Sequence, residues 1–428
     1  MPVLHIHTAQ VSPRMAYVAG FLVAQLPGVE YTWVAHNVPD EMLLSYTAGG
    51  QNIRFRSTGL LNETGISPQR KTEALLALQQ YHTDGRLPDT FPDLVFFLLS
   101  RYEEYLPFEA DRHGRYPASE SVLLQSGLLH IPLVDEWLKQ WRTMLSDVLH
   151  MPLPAAPGFT YRPTYDIDIT HAFFHRPWWR TAGAIAKELV RDRAQLALRY
   201  KVWRGQAPDP FDAFADMDAW HAQYGLQPVY FWLLAAYGPF DKNVAPGQAV
   251  MQQLVRHTSE RYATGIHPSY RSNNEVQTLR EEIACFKAIT GHLPALSRQH
   301  YIRCHMPATY RQLLAMGIEQ DYSMGYGTHN GFRAGVSRAF YWYDLQQEVQ
   351  TQLLVHPFAF MEATSLFQLK QSPNEAFDEL VRLTERVRWA GGTMITIFHN
   401  YTLGQNNPYT GWRQMYLRYL EKIKAPAV

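Results

Sequence analysis

The sequence predicts an α/β protein in two parts: a smaller α+β unit over residues 1–150 and a larger run of alternating strands and helices over 160–428. Three observations lead there. The stretch Met151-Pro-Leu-Pro-Ala-Ala-Pro-Gly158 packs three prolines and a glycine into eight residues, the composition of a stiff spacer, so 151–159 reads as a linker. Beyond it, strand-like and helix-like segments alternate, which implies a largely parallel sheet or barrel. Gly225, Gly291, Gly317 and Gly391 close helical segments, where the helix C-terminus favours glycine.

The chain has 428 residues, 46% of them hydrophobic, enough for a sizeable core. Lys+Arg and Asp+Glu balance at 39 each, which argues against nucleic acid or an anionic membrane as the main partner. Cys285 and Cys304 have no metal-binding or redox spacing. The longest apolar run, Leu94–Leu99, is far too short to span a bilayer, and the N-terminus has no basic region followed by an apolar core. A soluble, cytoplasmic protein is the expectation. The 11 Trp and 25 Tyr offer faces for stacking on sugars, although large cores also use them.

In the first unit, Val3–His7 and Tyr31–His36 read as short strands. Gln69–Tyr81 has a helical apolar stripe through Leu75, Leu76 and Leu78. Pro92 and Asp93 are start signals for an apolar helix through Leu99 that should be central to this unit. Val134–Leu149 follows with Trp137, Leu138, Trp141 and Leu145 at helical spacing. Glu103, Glu104, Asp111, His113 and Arg115 read as a surface ion-pair cluster.

In the second unit the expected strands are Thr164–Ile169, Pro228–Ala235, Ala263–His267, Leu296–Tyr301, Ile318–Tyr322, Leu353–Phe358 and Met394–Phe398. Helices are expected near 180–200, 211–224, 246–260, 274–290, 307–316, 374–390 and 411–424. Such folds gather their chemistry at the C-terminal ends of the strands. There the sequence places Asp166 and Asp168, His267, Arg298 with His300, Asp321, and His399. On a strand, residues two apart share a face, so Asp166 and Asp168 point together. Two like charges so close call for a cation or hydrogen-bond donors between them.

These short motifs, in this order, resemble those of the polysaccharide deacetylase (NodB-homology, carbohydrate esterase family four) group over roughly residues 160–424. Thr164-Tyr-Asp-Ile-Asp168 resembles the family's first motif with one residue inserted, and Gly265-Ile-His-Pro-Ser269 its histidine motif. Arg298-Gln-His-Tyr301, Asp321-Tyr-Ser323 and Ile397-Phe-His399 resemble the remaining three. Residues 1–150 look like the accessory domain of unknown function that precedes this catalytic domain in a bacterial subgroup. The resemblance implies a distorted (β/α)7 barrel that holds one divalent metal, usually zinc, and removes an acetyl group from a sugar or polysaccharide precursor. By the same carry-over Asp166 is the general base, Asp168 and His267 are metal ligands, Arg298 holds the base charged, and His399 is the general acid. The implied chemistry is sound: a Lewis-acidic metal lowers the pKa of bound water to about 7 and polarises the carbonyl. A guanidinium fork keeps a carboxylate ionised, and an imidazole can protonate a departing nitrogen.

Two departures stand out. Ile167 separates acids that are adjacent in the family, so base and ligand could be exchanged between Asp166 and Asp168. Arg271 occupies the place of the family's second motif histidine and cannot bind a metal. His300 is the expected replacement ligand, with a supporting hydrogen bond as its alternative role, and His171 is a weaker candidate at the surface or beside the ligands. Tyr301, Asp321, Tyr322 and Arg333 are expected to bind substrate, with Tyr326, Trp342, Tyr343 and Asp344 as further rim residues. Asp241 and Lys242 read as loop-builders that could touch it. No phosphate-binding glycine loop and no Gly-x-Ser-x-Gly elbow occur. Two other functions stay open: a non-catalytic carbohydrate-binding barrel, motivated by Arg271, and a metal-dependent amidohydrolase on a non-sugar C–N bond.

Overall fold

The computed structural model describes residues 2–36, 41–46, 50–175 and 178–424; the last four positions assigned to the second unit, 425–428, lie outside them. Four strands, β1 (Val3–Thr8), β2 (Glu30–Ala35), β3 (Glu41–Ser45) and β4 (Ile53–Arg56), form a small mixed sheet in the order β2-β1-β3-β4. Only β1–β2 is parallel. Strands β3 and β4 and the helix Pro13–Ala24 were not expected from the sequence. That helix starts on a Ser12 cap with Pro at its first position, a signal that is present in the sequence. The helix Phe91–Leu99 is buried at all nine residues, as an all-round apolar helix must be. Trp137, Trp141 and Leu145 form a buried stripe of the helix Leu133–Val148, and the two tryptophans pack on Phe91.

The second sheet has nine strands: β5 (Thr160–Ile167), β6 (Val229–Trp232), β7 (Ala263–Ile266), β8 (Leu296–Ser297), β9 (Gln320–Asp321), β10 (Phe340–Asp344), β11 (Val349–Val355), β12 (Phe360–Met361) and β13 (Thr393–His399). Their order is β10-β11-β9-β8-β7-β6-β5-β13-β12, parallel throughout except β10–β11. Each of the seven expected strands has its counterpart here. The antiparallel β10 and the two-residue β12 were not read, because neither carries a strand–helix repeat. The expected strand 296–301 stops at Ser297, since the backbone then turns into a short 3-10 segment in which Tyr301 and Ile302 have φ of +59° and +54°.

No ladder among the described residues joins β12 to β10 or β11, so the hydrogen bonding does not trace a closed barrel. The two flanks nevertheless meet. His356 N donates to Asp321 O and Phe358 N to Met324 O, and then Ala359 N donates to Ile395 O. That segment crosses from the β9 side to the β13 side. One apolar cluster holds Phe231 of β6, Tyr322 after β9, Phe358, and Ile395 and Ile397 of β13.

The N-terminal residues do not form an isolated core. A single cluster runs from Phe96, Leu98 and Tyr102 to Tyr310, Leu313, Trp342, Tyr343 and Leu353. Glu103 and Glu104, expected at the surface, are buried. Arg101 pairs with both, and Glu104 accepts two hydrogen bonds from Arg333 at 2.8 and 2.6 Å. A buried charge must be paired, and here the partners come from both units. Among the described residues no helix is long and apolar enough to cross a membrane.

Candidate metal and catalytic site

Parallel ladders put the strand ends in register. His399 lies opposite Asp166, and one row runs Ile167, Trp232, Ile266, Ser297, Asp321 across β5 to β9. Asp168, His267 and Arg298 each lie one residue beyond that row. His267 N donates to Trp232 O and Arg298 N to Ile266 O, extending the ladder to the site. Gly265 permits this approach: a Cβ there would stand 2.5 Å from the Leu296 carbonyl oxygen.

Three imidazoles surround Asp168. The Nε2 atoms of His267, His300 and His399 lie 3.3, 3.6 and 3.6 Å from its carboxylate oxygens. Each ring is held by its other nitrogen. His267 Nδ1 meets the Arg298 carbonyl at 2.5 Å, His300 Nδ1 meets Asp241 at 2.8 Å, and His399 Nδ1 meets Glu362 at 2.8 Å. Carbonyls and carboxylates only accept, so in each ring Nδ1 carries the hydrogen and Nε2 faces Asp168. This is how metal-binding histidines are oriented by outer partners. Asp168, His267 and His300 each offer a ligand atom, all within 4.8 Å of one another. Asp168 Oδ1 is buried without a hydrogen-bond partner, an open lone pair inside the trio that fits a cation. Arg271 lies away from it, exposed and paired with Glu275.

Asp166 sits beside this trio. Arg298 Nη1 donates to its Oδ1 at 2.8 Å, and its Oδ2 is 3.8 Å from His267 Nε2. The guanidinium also donates to Tyr322 O and Thr164 Oγ1 and lies 4.4 Å from the Phe231 ring centre. Arg298 thus orients an acid with its side chain and a histidine with its carbonyl. The charges interact strongly. Burial raises the Asp168 carboxyl, but His300, His267 and His399 hold it well below its ordinary range. Burial lowers His300, but Asp168 and Asp241 push it up to about 10. His399 likewise rises to about 9 against its burial, through Glu362 first and then Asp168 and Asp166.

The site floors a cavity of about 630 Å³. His113, Phe240 and Tyr301 form one aromatic wall, while Phe367, Tyr401 and Tyr409 form another. Tyr401 stacks on His399. The first wall draws on the N-terminal residues: Arg115 is fixed by Asp111 and donates to Tyr301 O at 2.6 Å.

Several expectations are corrected. Of the four predicted substrate-binding residues only Tyr301 lines the cavity. Arg333 is spent on Glu104, and Asp321 accepts from Ser297 Oγ, Ser323 N and Ser323 Oγ. Tyr322 is buried against His356, with its hydroxyl accepting from Arg162. Tyr326, Trp342, Tyr343 and Asp344 are buried too, so they form no rim. His171 is buried and bonds Thr170, outside the trio. Asp241 supports His300, while Lys242 lines the cavity. Glu362, Tyr401 and Tyr409 were missed. For Glu362 the signal was a lone acid closing the apolar run Pro357-Phe-Ala-Phe-Met361. His113 and Arg115, expected at the surface, are buried and line the cavity, with the exposed Arg112 at its edge.

Residues 4–150 match the model of a family of unknown function, DUF7033. No curated protein matches the chain. Among solved structures, the chain is similar to a Mycobacterium smegmatis protein assigned as a polysaccharide deacetylase, at 14% identity and a TM-score of 0.40, covering 64% of this chain and 88% of that one. It is also similar to PuuE allantoinase, at 14% identity and 0.37, with 62% and 83% covered. The catalytic domain of a peptidoglycan N-acetylglucosamine deacetylase from Eubacterium rectale gives 9% and 0.30, with 64% and 92% covered. Likenesses this distant carry no function across.

Proposed function

We propose that the chain is a metal-dependent hydrolase that removes an acetyl group, as amide or ester, from a sugar or polysaccharide precursor. The observation that carries this reading is one cavity floor holding both an Arg298-held carboxylate and three oriented imidazoles around Asp168. In this reading residues 160–428 are the catalytic unit, a distorted (β/α)7 barrel closed by packing rather than by a ladder. Residues 1–150 are an accessory unit that supplies part of the cavity wall, joined through the linker 151–159.

Asp168, His267 and His300 hold the ion, which is zinc in this proposal, the N/O donor set being one that zinc favours. Bound there, a divalent ion supplies Lewis acidity for an attack by water on a carbonyl. Asp166 accepts the proton from the attacking water, and Arg298 keeps that carboxylate charged and aimed. His399, protonated through Glu362, delivers a proton to the departing nitrogen or oxygen. The aromatic walls stack on sugar rings and exclude water. Because His300 completes a three-residue set, the ligand set does not depend on position 271, which was the motive for a non-catalytic binding barrel.

The test is metal analysis of the purified chain together with acetate release from N-acetylglucosamine oligomers and O-acetylated xylan. Stoichiometric zinc, and acetate release abolished by a chelator and restored by zinc, are expected. Zinc-free protein that binds these glycans without releasing acetate would overturn the reading. Turnover of small non-sugar amides in place of acetylated sugars would move the activity to the amidohydrolase alternative.

A further inference from the structure

Between β5 and the helix Phe214–Tyr224 the chain makes an excursion of two helices, Trp178–Arg191 and Arg193–Trp203. Its base is tied: Asp209 accepts from Ala172 N and Phe173 N. Its polarity is inside-out. The side against the protein carries a buried ion pair, Arg199 on Glu188, with Val202 beside it and Phe173 beneath the guanidinium. The outer side carries large apolar residues. Trp178 is 80% exposed and Val190 82%, and Trp179, Leu189, Tyr200 and Trp203 are exposed as well. A shallow apolar groove runs between the helices, lined by Ile185, Leu189, Leu196, Tyr200 and Trp203. A soluble surface rarely concentrates this much apolar area without a partner.

The charge is equally lopsided. Residues 178–204 contain seven Lys and Arg against two Asp and Glu, in a chain that is balanced overall. Of the seven, Arg199 alone is ion-paired among the described residues. In the first helix Trp178, Ile185 and Leu189 recur along one stripe, and Arg180, Lys187 and Arg191 along the opposite one. Tryptophan and branched apolar residues on one face, with cations on the other that form no ion pair among the described residues, is the pattern of a helix lying in a membrane interface. An acidic protein would match the cations but not the six exposed apolar groups. A second copy of this chain would set the same uncompensated positive charge against itself.

We propose that this helical hairpin docks on an anionic lipid surface, with Trp178, Trp179, Leu189 and Val190 entering the headgroup boundary and the surrounding Lys and Arg binding lipid phosphates. Phe211, just after the excursion, lines the cavity, and Arg180 stacks on Tyr237, which adjoins the Pro239–Phe240 wall. Docking therefore sets the cavity beside the lipid. The proposal is independent of the catalytic reading.

The experiment is co-sedimentation of the full chain with phosphatidylcholine vesicles made with and without phosphatidylglycerol. Binding to the phosphatidylglycerol vesicles alone, weakened by salt, is expected. Trp178→Ser with Trp179→Ser should lower partitioning at least tenfold. Lys187→Gln with Arg191→Gln should lower it about 25-fold, at about fivefold per charge. All four positions are solvent-exposed, and an unchanged circular dichroism melt confirms that the variants fold. No pelleting, equal pelleting with uncharged vesicles, or pelleting unchanged in either double variant overturns the proposal. So does concentration-dependent dimerisation in ultracentrifugation that the tryptophan variant abolishes without vesicle binding in the parent.

Discussion

Glu362→Gln is the most informative single change. Glu362 is fully buried, and its Oε1 accepts from His399 N at 2.7 Å, His399 Nδ1 at 2.8 Å and Thr402 Oγ1 at 3.1 Å. Glutamine keeps the shape and an accepting oxygen but removes the largest of the charges that, with Asp168 and Asp166, lift His399 to about 9. That lift, from 6.5, is worth about 3 kcal/mol at 1.36 kcal/mol per unit. An acid catalyst must be protonated, so activity falls as pH rises through its pKa. The alkaline limb of the kcat/KM profile should therefore move to lower pH in the variant, by at most about 2 pH units because Asp168 and Asp166 remain, with metal content unchanged. Stability gives a second readout. A histidine whose folded pKa is raised contributes stability that is complete below pH 6.5 and lost as pH passes 9. In metal-free protein the variant's Tm deficit should thus be largest near pH 6 and shrink toward pH 10. An unmoved alkaline limb in a folded, metal-loaded variant would refute the role of His399 as the acid that Glu362 holds charged.

Other outcomes follow from the same geometry. His300→Ala should abolish stoichiometric zinc by elemental analysis, and Asp241→Asn should weaken zinc about 10- to 100-fold by removing the carboxylate that orients it. Metal binding needs neutral imidazole, and His300 rests near 10 in the metal-free protein, so zinc affinity measured by competition should rise about tenfold per pH unit across neutral pH. Arg298→Lys loses the guanidinium that holds Asp166 while also bonding Thr164 and Tyr322; a fall of about 100-fold in kcat at nearly constant KM is expected in acetate-release kinetics. Glu104→Ala removes the carboxylate partner of the buried Arg333 and leaves Arg101 with Glu103 alone, and denaturant unfolding should show a loss of about 3–5 kcal/mol.

The resemblance to a deacetylase group drew attention to residues that the structure brings together: Asp166, Asp168, His267, Arg298, His300 and His399 meet on one cavity floor. They were legible because each sits at the end of a strand marked by a short apolar run and followed by a helix, and parallel ladders carry such ends to one side. Asp321, Tyr322 and Arg333 occupy equally suggestive places in the sequence, yet their polar atoms are satisfied by Ser297, Arg162 and Glu104. Nothing in local pattern distinguishes a strand-end acid that faces a cavity from one that faces a serine.

By itself the sequence determined the seven strands that alternate with helices and the end of the sheet where their chemistry gathers, since hydrophobic period, proline and glycine act over a few neighbouring residues. Only the tertiary structure decided which nitrogen of each histidine faces Asp168, that Glu362 stands behind His399, and that His113 and Arg115 help to wall the cavity. Those are encounters between groups far apart along the chain. A side chain's partner is set by how sheets and loops pack, and that packing is a property of the whole fold that no short window of residues encodes.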